Sequence, residues 1–329
     1  MIPSPLNAPV AARRRLQLPP EIIFTTWPLL PAPDLSEADS AAFDAQGFLV
    51  LPYLCNAAEV QAIRAILIHL FEQKVGRAEG NQFDMLGLDD EASSSIQPQI
   101  IKPSLYAPEL LHTPHFLRAQ AIARQLLGPD AEFCFDHSIL KHAGGNAVTP
   151  WHQDEAYGHD PYYRAEQISI WMPLQDVSED NGCLRYIPGS HRGPLLPHHS
   201  FEDEPRVQAI ECPAKYFEEL AAVSTPMPAG WCVLHGGRTL HSALANSSAS
   251  DRLAYVLVFR GAAIPRSEAQ PFPWLTERHP AGIDRHRHWY WHGGYRILLL
   301  RWLNRTLHAD VQALRSRLRR LARRYRGSW

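Results

Sequence analysis

Residue types that bind metals occur close together at His152 and Asp154, two positions apart in the stretch Thr149–Asp154. In an extended strand, side chains at positions i and i+2 leave the same face about 7 Å apart, so both could contact one ion while Gln153 points away. His241, 89 positions after His152, could return on a distant strand as a third ligand. Two histidines and one carboxylate are the ligand set of non-heme Fe(II) oxygenases, which leaves room for a chelating cosubstrate and dioxygen. A His-x-Asp pair by itself is also common among surface and turn residues.

The stretch after this pair predicts short strands separated by turns. Ile168–Met172 predicts a strand, and Pro173–Gly182 predicts a loop that closes with the hairpin signal Asn181-Gly182. An extended pattern resumes at Cys183–Ile187 and ends at Pro188–Arg192. In this order of segments the chain resembles the phytanoyl-CoA dioxygenase family, whose members carry a His-Gln-Asp ligand pair, a Trp-containing strand, an Asn-Gly-Cys-Leu turn and a Pro-Gly-Ser/Thr-His-Arg/Lys segment.

The distal half of the chain extends this resemblance. Pro228–His241 is similar to the turn and strand that lead to the family's second histidine. Asn246, Ser248 and Arg252 stand where the family places an Asn, a Ser/Thr and a basic residue.

The resemblance implies His152, Asp154 and His241 as the iron ligands. His235 is the alternative distal histidine, six positions before His241. It matches a place where the family tolerates histidine without using it as a ligand, and we interpret it as a neutral histidine near the site.

Arg252 has the chemistry to hold a dicarboxylic cosubstrate. A guanidinium keeps its charge and presents a planar pair of donors that matches a carboxylate. The resemblance implies that Arg252 binds the far carboxylate of 2-oxoglutarate while the keto-acid end chelates iron. The apolar run Leu253–Phe259 places Arg252 at the start of a buried strand, although an arginine at a strand mouth is often a surface ion-pair partner.

Six further residues are candidates for the cosubstrate site. By resemblance, Trp171 and Ser248 stand near the same carboxylate and Thr149 near the keto-acid end. Lys141, on the strand before the ligands, is a cofactor-binding candidate that could equally be exposed or face the substrate. Trp171 could equally be a core residue. Gln99 and Lys102, on an earlier extended run, are candidates of the same kind.

The resemblance implies an Fe(II)- and 2-oxoglutarate-dependent dioxygenase that converts 2-oxoglutarate and dioxygen to succinate and CO2 while it hydroxylates a small organic substrate. Halogenating relatives lack the carboxylate at the Asp154 position, so its presence favours hydroxylation or a related oxidation. One alternative is the same iron chemistry used for desaturation, cyclisation or epimerisation. The other is a non-catalytic jelly-roll module that binds a ligand or a partner.

The elements that would position these residues predict a mainly β fold with flanking helices. Extended runs alternate with turns from Phe133 to Arg260, as in the double-stranded β-helix, the jelly-roll barrel of the cupins. We divide the chain into an extended or mobile segment (1–40), a jelly-roll domain with helical additions (41–265) and a loop with a basic C-terminal helix (266–329).

The first part of the predicted domain contains a strand and two helices. Phe48–Tyr53 predicts the strand, and Asn56 with Glu59 predicts a capping box that opens a helix. Residues 76–95 read as a loop, and Phe116–Leu127 predicts the second helix.

Composition narrows the cell compartment and the partners. The five cysteines are odd in number and contain no Cys-x-x-Cys pair, which argues against a disulfide framework and a zinc site and favours a reducing cytoplasm. No apolar stretch is long enough to span a bilayer. We expect a small-molecule substrate and dioxygen as partners, and no nucleic acid.

The C-terminal segment has its own charge pattern. Residues 285–329 contain twelve Arg and one Asp, a net charge of +11 in a chain of net charge −2, so the other 284 residues carry −13. Apolar residues recur there at helical spacing, namely Leu303, Leu307, Val311, Leu314, Leu318, Leu321 and Tyr325. This face could pack on the acidic domain or on a second subunit, or lie on a membrane surface with Trp302 and Trp329 as anchors. The histidines of Arg285–His292 predict a loop that could cover the barrel mouth.

Overall fold

The computed structural model describes residues 33–90, 94–158 and 160–300. The predicted helical stripe from 303 to 325 and most of the predicted N-terminal segment lie outside these residues. The helices are α1 (Glu37–Gln46), α2 (Ala57–Glu72), α3 (Pro114–Leu127), α4 (Pro273–Thr276) and α5 (Ala281–Trp289). The strands are β1 (Phe48–Leu51), β2 (Gln82–Asp84), β3 (Pro98–Ile101), β4 (Glu132–Lys141), β5 (Thr149–His152), β6 (Tyr163–Pro173), β7 (Leu184–Tyr186), β8 (His199–Ser200), β9 (Ile210–Glu211), β10 (Val223–Ser224), β11 (Cys232–Gly236), β12 (His241–Ala243) and β13 (Arg252–Pro265).

Two antiparallel sheets form the centre of the molecule. The larger has seven strands in the order β1-β11-β6-β13-β4-β3-β2, and the smaller has four in the order β10-β7-β12-β5. Strands that are distant in sequence lie side by side in both sheets, as in a jelly roll. The predicted mainly β fold with a jelly-roll core and flanking helices is confirmed. Among the described residues, no helix combines the length and the apolar character needed to cross a membrane.

Strand β13 shows how the sequence divides its side chains between the two faces of the large sheet. Its first eight residues are all buried. A strand that is covered on both faces has a nearly continuous apolar sequence, as β13 does after Arg252. Leu253, Tyr255, Leu257 and Phe259 belong to the core shared with helices α2 and α3. The alternate residues Ala254, Val256 and Val258 belong to the core between the two sheets. Arg252 has the parity of this second set, as expected for an arginine at the start of a buried strand.

Helix α2 starts at the predicted capping box. Asn56 accepts a hydrogen bond from the Glu59 backbone, and the Glu59 carboxylate accepts one from the Asn56 backbone. The Glu59 carboxylate also pairs with Arg118 of α3, and both side chains are buried. One carboxylate therefore caps one helix and holds a second helix against it.

Four predictions about local structure were wrong. Residues 37–40 belong to α1, so the N-terminal segment predicted as extended to residue 40 is helical there. The predicted loop 76–95 contains strand β2, which is three residues long. The Asn181-Gly182 turn does not close a hairpin, because β6 and β7 lie in different sheets. The histidines predicted in a loop at 285–292 lie in α5 and in the π-helical turn that follows it.

The turn before β7 has a physical reason to end in glycine. Gly182 has a φ of +86°, a conformation that costs little only for glycine. A Cβ there would lie 2.7 Å from the carbonyl oxygen of Leu244. Gly182 thus ends a turn, as predicted, but the turn connects strands of two different sheets.

We expect Glu59→Ala to lower the free energy of unfolding by about 3 to 5 kcal/mol, because it leaves the Arg118 guanidinium buried without its partner. Urea denaturation measures this loss. Asp39→Ala is the matched control, since Asp39 closes a capping box of the same kind in α1 through an exposed hydrogen bond. The control should cost about 1 kcal/mol. Equal losses in the two variants would contradict the buried pair as the source of the difference.

Candidate metal and cosubstrate site

The candidate metal ligands meet where β5 and β12 pair. His152 ends β5 and lies directly opposite His241, which begins β12. Asp154 is the first residue of a short 3-10 turn, Asp154–Tyr157, and Gln153 between them has extended backbone angles. One ligand atom from each of His152, Asp154 and His241 lies within 4.8 Å of the other two. These three residues could hold one metal ion.

Backbone carbonyls set the tautomers of both histidines. The Nδ1 of His152 lies 2.8 Å from the carbonyl oxygen of Pro150, and the Nδ1 of His241 lies 2.9 Å from that of Thr239. A carbonyl oxygen only accepts, so each Nδ1 carries the proton and each Nε2 keeps a lone pair. Burial lowers the pKa of both rings, that of His241 well below its usual range. Both rings are therefore prepared to bind a metal through Nε2.

The Asp154 carboxylate presents its two oxygens to different neighbours. Oδ1 lies 3.7 Å from the Nε2 atoms of His152 and His241. Oδ2 accepts a hydrogen bond of 2.7 Å from Ser169 and lies 3.3 Å from Nε2 of His235. Burial acts to raise the pKa of Asp154, but the hydrogen bond from His235 and the nearby histidines hold it well below its usual range. The carboxyl group is therefore ionised, as a metal ligand must be.

Gln153 and Glu155 anchor the backbone on both sides of Asp154. The Gln153 side chain is fully buried and binds the Arg238 carbonyl and the Leu196 backbone N–H. Glu155 forms a two-point ion pair with Arg238 and a further one, at 2.9 Å, with Arg266. The alternation expected of a strand thus holds at Gln153, although the strand itself ends at His152.

Arg252 is a buried cation with unused hydrogen-bond donors. The residue is 1% exposed, and its Nε and Nη1 have no hydrogen-bond partner within the described part of the chain. Its guanidinium carbon lies 5.5 Å from the centre of the Trp171 ring. Burial lowers its pKa to about 10, which still leaves it charged at neutral pH. Because an unpaired buried charge is costly, this environment fits an anionic ligand such as a carboxylate.

One cavity of about 1130 Å³ joins the metal-ligand cluster to Arg252. Ligand pockets span roughly 300 to 1,000 Å³, so this volume accommodates a cosubstrate together with an organic substrate. Thr149 and Trp171 line it, as do Gln99 and Lys102. The Thr149 hydroxyl donates to the side chain of Gln97 at 2.9 Å.

Lys141 and Ser248 lie outside the lining of this cavity, as far as the described residues define it. The Lys141 side-chain nitrogen, Nζ, donates to the carbonyl oxygens of Ala147 and Ala243. Burial, helped by the charge of Arg252, lowers the pKa of Lys141 to about 6. Ser248 donates to the side chain of Asn246, which in turn donates to the Lys141 carbonyl. These two residues thus contact the strand ends around Arg252.

Four residues of the site were not predicted from the sequence. Ser169 and Tyr186 belong to the hydrogen bonds around Asp154, and Gln97 and His137 line the cavity. Gln97 has a buried amide nitrogen without a partner in the described residues, and His137 bonds to Gln99 at 3.1 Å. Ser169, Tyr186 and His137 reach the site through pairing between strands that are far apart in sequence, which local periodicity does not encode. Gln97 lies just before β3.

Comparison with known proteins gives a family model whose matched residues include His152, Asp154 and His241. The family model for phytanoyl-CoA dioxygenase (PhyH) matches residues 43–254. A phytanoyl-CoA dioxygenase domain-containing protein 1 from Danio rerio is 30% identical over 158 residues, 46% of this chain and 52% of that protein. An ectoine dioxygenase from Stutzerimonas stutzeri (strain A1501) is 27% identical over 281 residues, 76% of this chain and 88% of that protein. The chain thus matches about half the length of the first relative and most of the second.

A solved structure matches over nearly its full length. EvdO2 from Micromonospora carbonacea var. aurantiaca, complexed with 2-oxoglutarate, is 35% identical to this chain, with a TM-score of 0.63. The match covers 74% of this chain and 98% of that protein. The likeness therefore extends beyond the cluster to the arrangement of the sheets that carry it.

We expect Arg252→Met to abolish the thermal stabilisation that 2-oxoglutarate gives in the presence of anaerobic Fe(II). Loss of the charged donors should weaken 2-oxoglutarate binding roughly 100-fold, about 3 kcal/mol. Without ligand, the variant should melt no lower than wild type, because it removes a buried charge that lacks a partner. Differential scanning fluorimetry measures both effects. Arg206→Met, at an exposed arginine paired with Glu204, should keep the stabilisation; its loss in both variants would contradict a specific role for Arg252.

Proposed function

The chain belongs to the phytanoyl-CoA dioxygenase family, and we propose that it binds Fe(II) through His152, Asp154 and His241 and 2-oxoglutarate through Arg252. It is a dioxygenase that uses dioxygen to hydroxylate a small organic substrate. The observation that carries this proposal is that one cavity holds both the three-ligand cluster and a buried arginine with unused donors. A facial set of three ligands leaves three positions for the cosubstrate and dioxygen.

When bound, Fe(II) supplies the redox chemistry by which dioxygen converts 2-oxoglutarate to succinate and CO2 and oxidises the substrate. The protein's contribution is geometric and electrostatic. His152 and His241 hold their Nε2 lone pairs toward one point, since their Nδ1 protons are bound by backbone carbonyls. Arg252 orients the cosubstrate by its far carboxylate, and the buried indole of Trp171 excludes water beside it.

Thr149 contacts the cosubstrate in this proposal, whereas Lys141 and Ser248 support Arg252 from outside the cavity lining. Thr149 lines the cavity and contacts the keto-acid end of 2-oxoglutarate. Lys141 pairs with Arg252 in the β4–β13 register, and Ser248 reaches the Lys141 carbonyl through Asn246. These contacts support a role for Lys141 and Ser248 in holding the strand ends from which Arg252 projects.

The family assignment concerns residues 43–254, and we propose residues 41–265 as the jelly-roll domain that carries the reaction. The same iron chemistry could lead to desaturation, cyclisation or epimerisation, because these outcomes differ in which substrate atom is held at the metal. Because the carboxylate of Asp154 is present, we propose hydroxylation as the outcome.

We also propose a cytoplasmic enzyme that contacts an anionic membrane surface through its C-terminal part. After non-helical angles at His292 and Gly293, helical backbone resumes and runs to Leu300. Trp291, Leu299 and Leu300 are 72%, 52% and 60% exposed. Arg287 and Arg296 lie on the same stretch, and nine arginines follow between 301 and 329. Exposed aromatic and aliphatic residues among arginines are the composition of interfacial helices.

Anaerobic addition of Fe(II) and 2-oxoglutarate should produce a weak visible metal-to-ligand charge-transfer band. Asp154→Ala and His241→Ala should each lose the band, because two protein ligands do not hold the metal. His199→Ala is the control: this partly exposed histidine pairs with Asp203 and should leave the band unchanged. Absence of the band in the wild-type protein would contradict the proposed function. Succinate release against a substrate panel then identifies the substrate.

The full chain should sediment with phosphatidylcholine vesicles only when they contain phosphatidylserine, and high salt should release it. Trp291→Ala should weaken this binding several-fold, because an interfacial indole is lost. Tyr53→Ala is the matched control, since Tyr53 is 77% exposed and precedes helix α2. Equal sedimentation with both kinds of vesicle would contradict the membrane contact. Concentration-dependent dimerisation lost in Trp291→Ala would instead assign this face to a second subunit.

A further inference from the structure

His235 is a buried histidine beside the metal-ligand cluster that is not part of it. The side chain is 2% exposed, and its ring centre lies 4.3 Å from that of His241. The group whose ligand atoms converge consists of His152, Asp154 and His241. Its position beside the candidate metal site therefore indicates a role other than metal binding.

The two ring nitrogens of His235 have different hydrogen-bond partners. Nε2 of His235 lies 3.3 Å from Oδ2 of Asp154, and Nδ1 lies 2.9 Å from the hydroxyl of Tyr186. An ionised carboxylate oxygen only accepts, so Nε2 must carry the proton that it donates. The Tyr186 hydroxyl can then donate to Nδ1. Burial and the charge of Asp154 raise the pKa of Tyr186 well above its usual range, so the hydroxyl keeps its proton.

Both sheets hold this chain of hydrogen bonds in place. Ser169 and His235 are directly paired residues of β6 and β11, and both reach the same oxygen of Asp154. Tyr186 is the direct partner of His241 in the β7–β12 pair of the other sheet. Phe48 stacks on Tyr186 at 4.5 Å and an interplanar angle of 10°. Residues of the large sheet thus bind Asp154 from one side. One of them, His235, also bonds to Tyr186 on the strand beside His241.

The two oxygens of Asp154 consequently have different environments. Oδ2 is occupied by two donors, whereas Oδ1 faces the two ligand histidines. A free carboxylate can bind a metal through both oxygens, which would use one of the three positions that the cosubstrate and dioxygen need. Donors on one oxygen favour coordination through the other and fix the orientation of the ligand.

We propose that His235 is a positioning residue: held by Tyr186, it donates its Nε2 proton to Oδ2 of Asp154 and so limits Asp154 to iron coordination through Oδ1. The inference rests on the proposed function, since it concerns iron bound by His152, Asp154 and His241. It assigns His235 a role through Asp154 and not as a metal ligand.

Three variants separate this role from a structural one. His235→Leu removes the donor at similar volume, His235→Gln offers an amide N–H in its place, and Tyr186→Phe removes only the hydroxyl that orients the ring. Their Fe(II) affinities are measured anaerobically by competition with a chromogenic chelator. The visible absorption of the Co(II)-loaded proteins reports the coordination geometry without any turnover. His115→Leu is the matched control, because it also removes a buried imidazole but lies on α3 and outside the cavity lining.

We expect His235→Leu to bind Fe(II) 10- to 100-fold more weakly and to change the Co(II) spectrum, the usual cost of losing an outer contact to a ligand. His235→Gln should recover most of the affinity, and Tyr186→Phe should change it less and in the same direction as His235→Leu. His115→Leu should bind Fe(II) like the wild type. If His235→Leu is poorly folded, the Fe(II) affinities of His235→Gln and Tyr186→Phe still test the inference. A wild-type affinity and Co(II) spectrum in Tyr186→Phe, or a complete loss of Fe(II) binding in His235→Gln, would contradict it.

Two results would overturn the inference and leave the proposed function intact. One is a wild-type affinity and Co(II) spectrum in both His235→Leu and Tyr186→Phe. The other is a loss of Fe(II) binding in His235→Leu and His235→Gln as complete as in His241→Ala, which would make His235 a ligand. If the wild-type protein itself fails to bind Fe(II), the proposed function falls and the inference falls with it.

Discussion

The pairing of β5 with β12 places His152 directly opposite His241, and the candidate metal site depends on this register. Directly opposed residues in an antiparallel pair have Cα atoms about 4.5 to 5.5 Å apart, close enough for two imidazoles to meet at one ion. A slip of one residue would turn one of the two rings to the other face of the sheet. β12 also pairs with β7, so Tyr186, His241 and His152 lie in a row across three strands. The two histidine ligands and Tyr186, which bonds to His235, are therefore positioned by one small sheet.

The large sheet supplies the space and the charge that this site requires. Along β13 the side chains that face the helices include Leu257 and Phe259, whereas those facing the other sheet include Ala254 and Val256. Small inward residues leave a cavity where larger ones would fill the barrel. Arg252 continues this inward series and is buried without an acidic partner among the described ion pairs. A buried charge without a partner lowers the stability of the folded protein. We interpret this cost as the consequence of a site whose ligand supplies the missing partner.

The parts of this architecture that follow from short-range periodicity could be predicted from the sequence. The opposite direction of Gln153, the capping box of Asn56 and Glu59 and the inward parity of Arg252 depend on neighbours within four residues. Ser169, Tyr186 and His137 could not be predicted this way, because their positions come from the register between strands that are far apart in sequence. Asn181-Gly182 illustrates a different limit. A glycine with positive φ is required both in a tight hairpin and at the end of the 3-10 turn that crosses between the sheets here, so the dipeptide does not distinguish them.

The division of labour between the sheets explains why the chemistry is easier to infer than the substrate. The histidines and Asp154 lie on or just after strands of the small sheet, and their geometry changes little without loss of the metal site. The cavity walls come largely from the large sheet, where Gln99 of β3, His137 of β4 and Arg260 of β13 line the space. Substitution of these wall residues need not move a metal ligand, because they lie on different strands. Selection on the substrate can therefore act on one sheet while the reaction is maintained by the other, and shared fold and ligands determine the kind of oxidation more closely than the molecule oxidised.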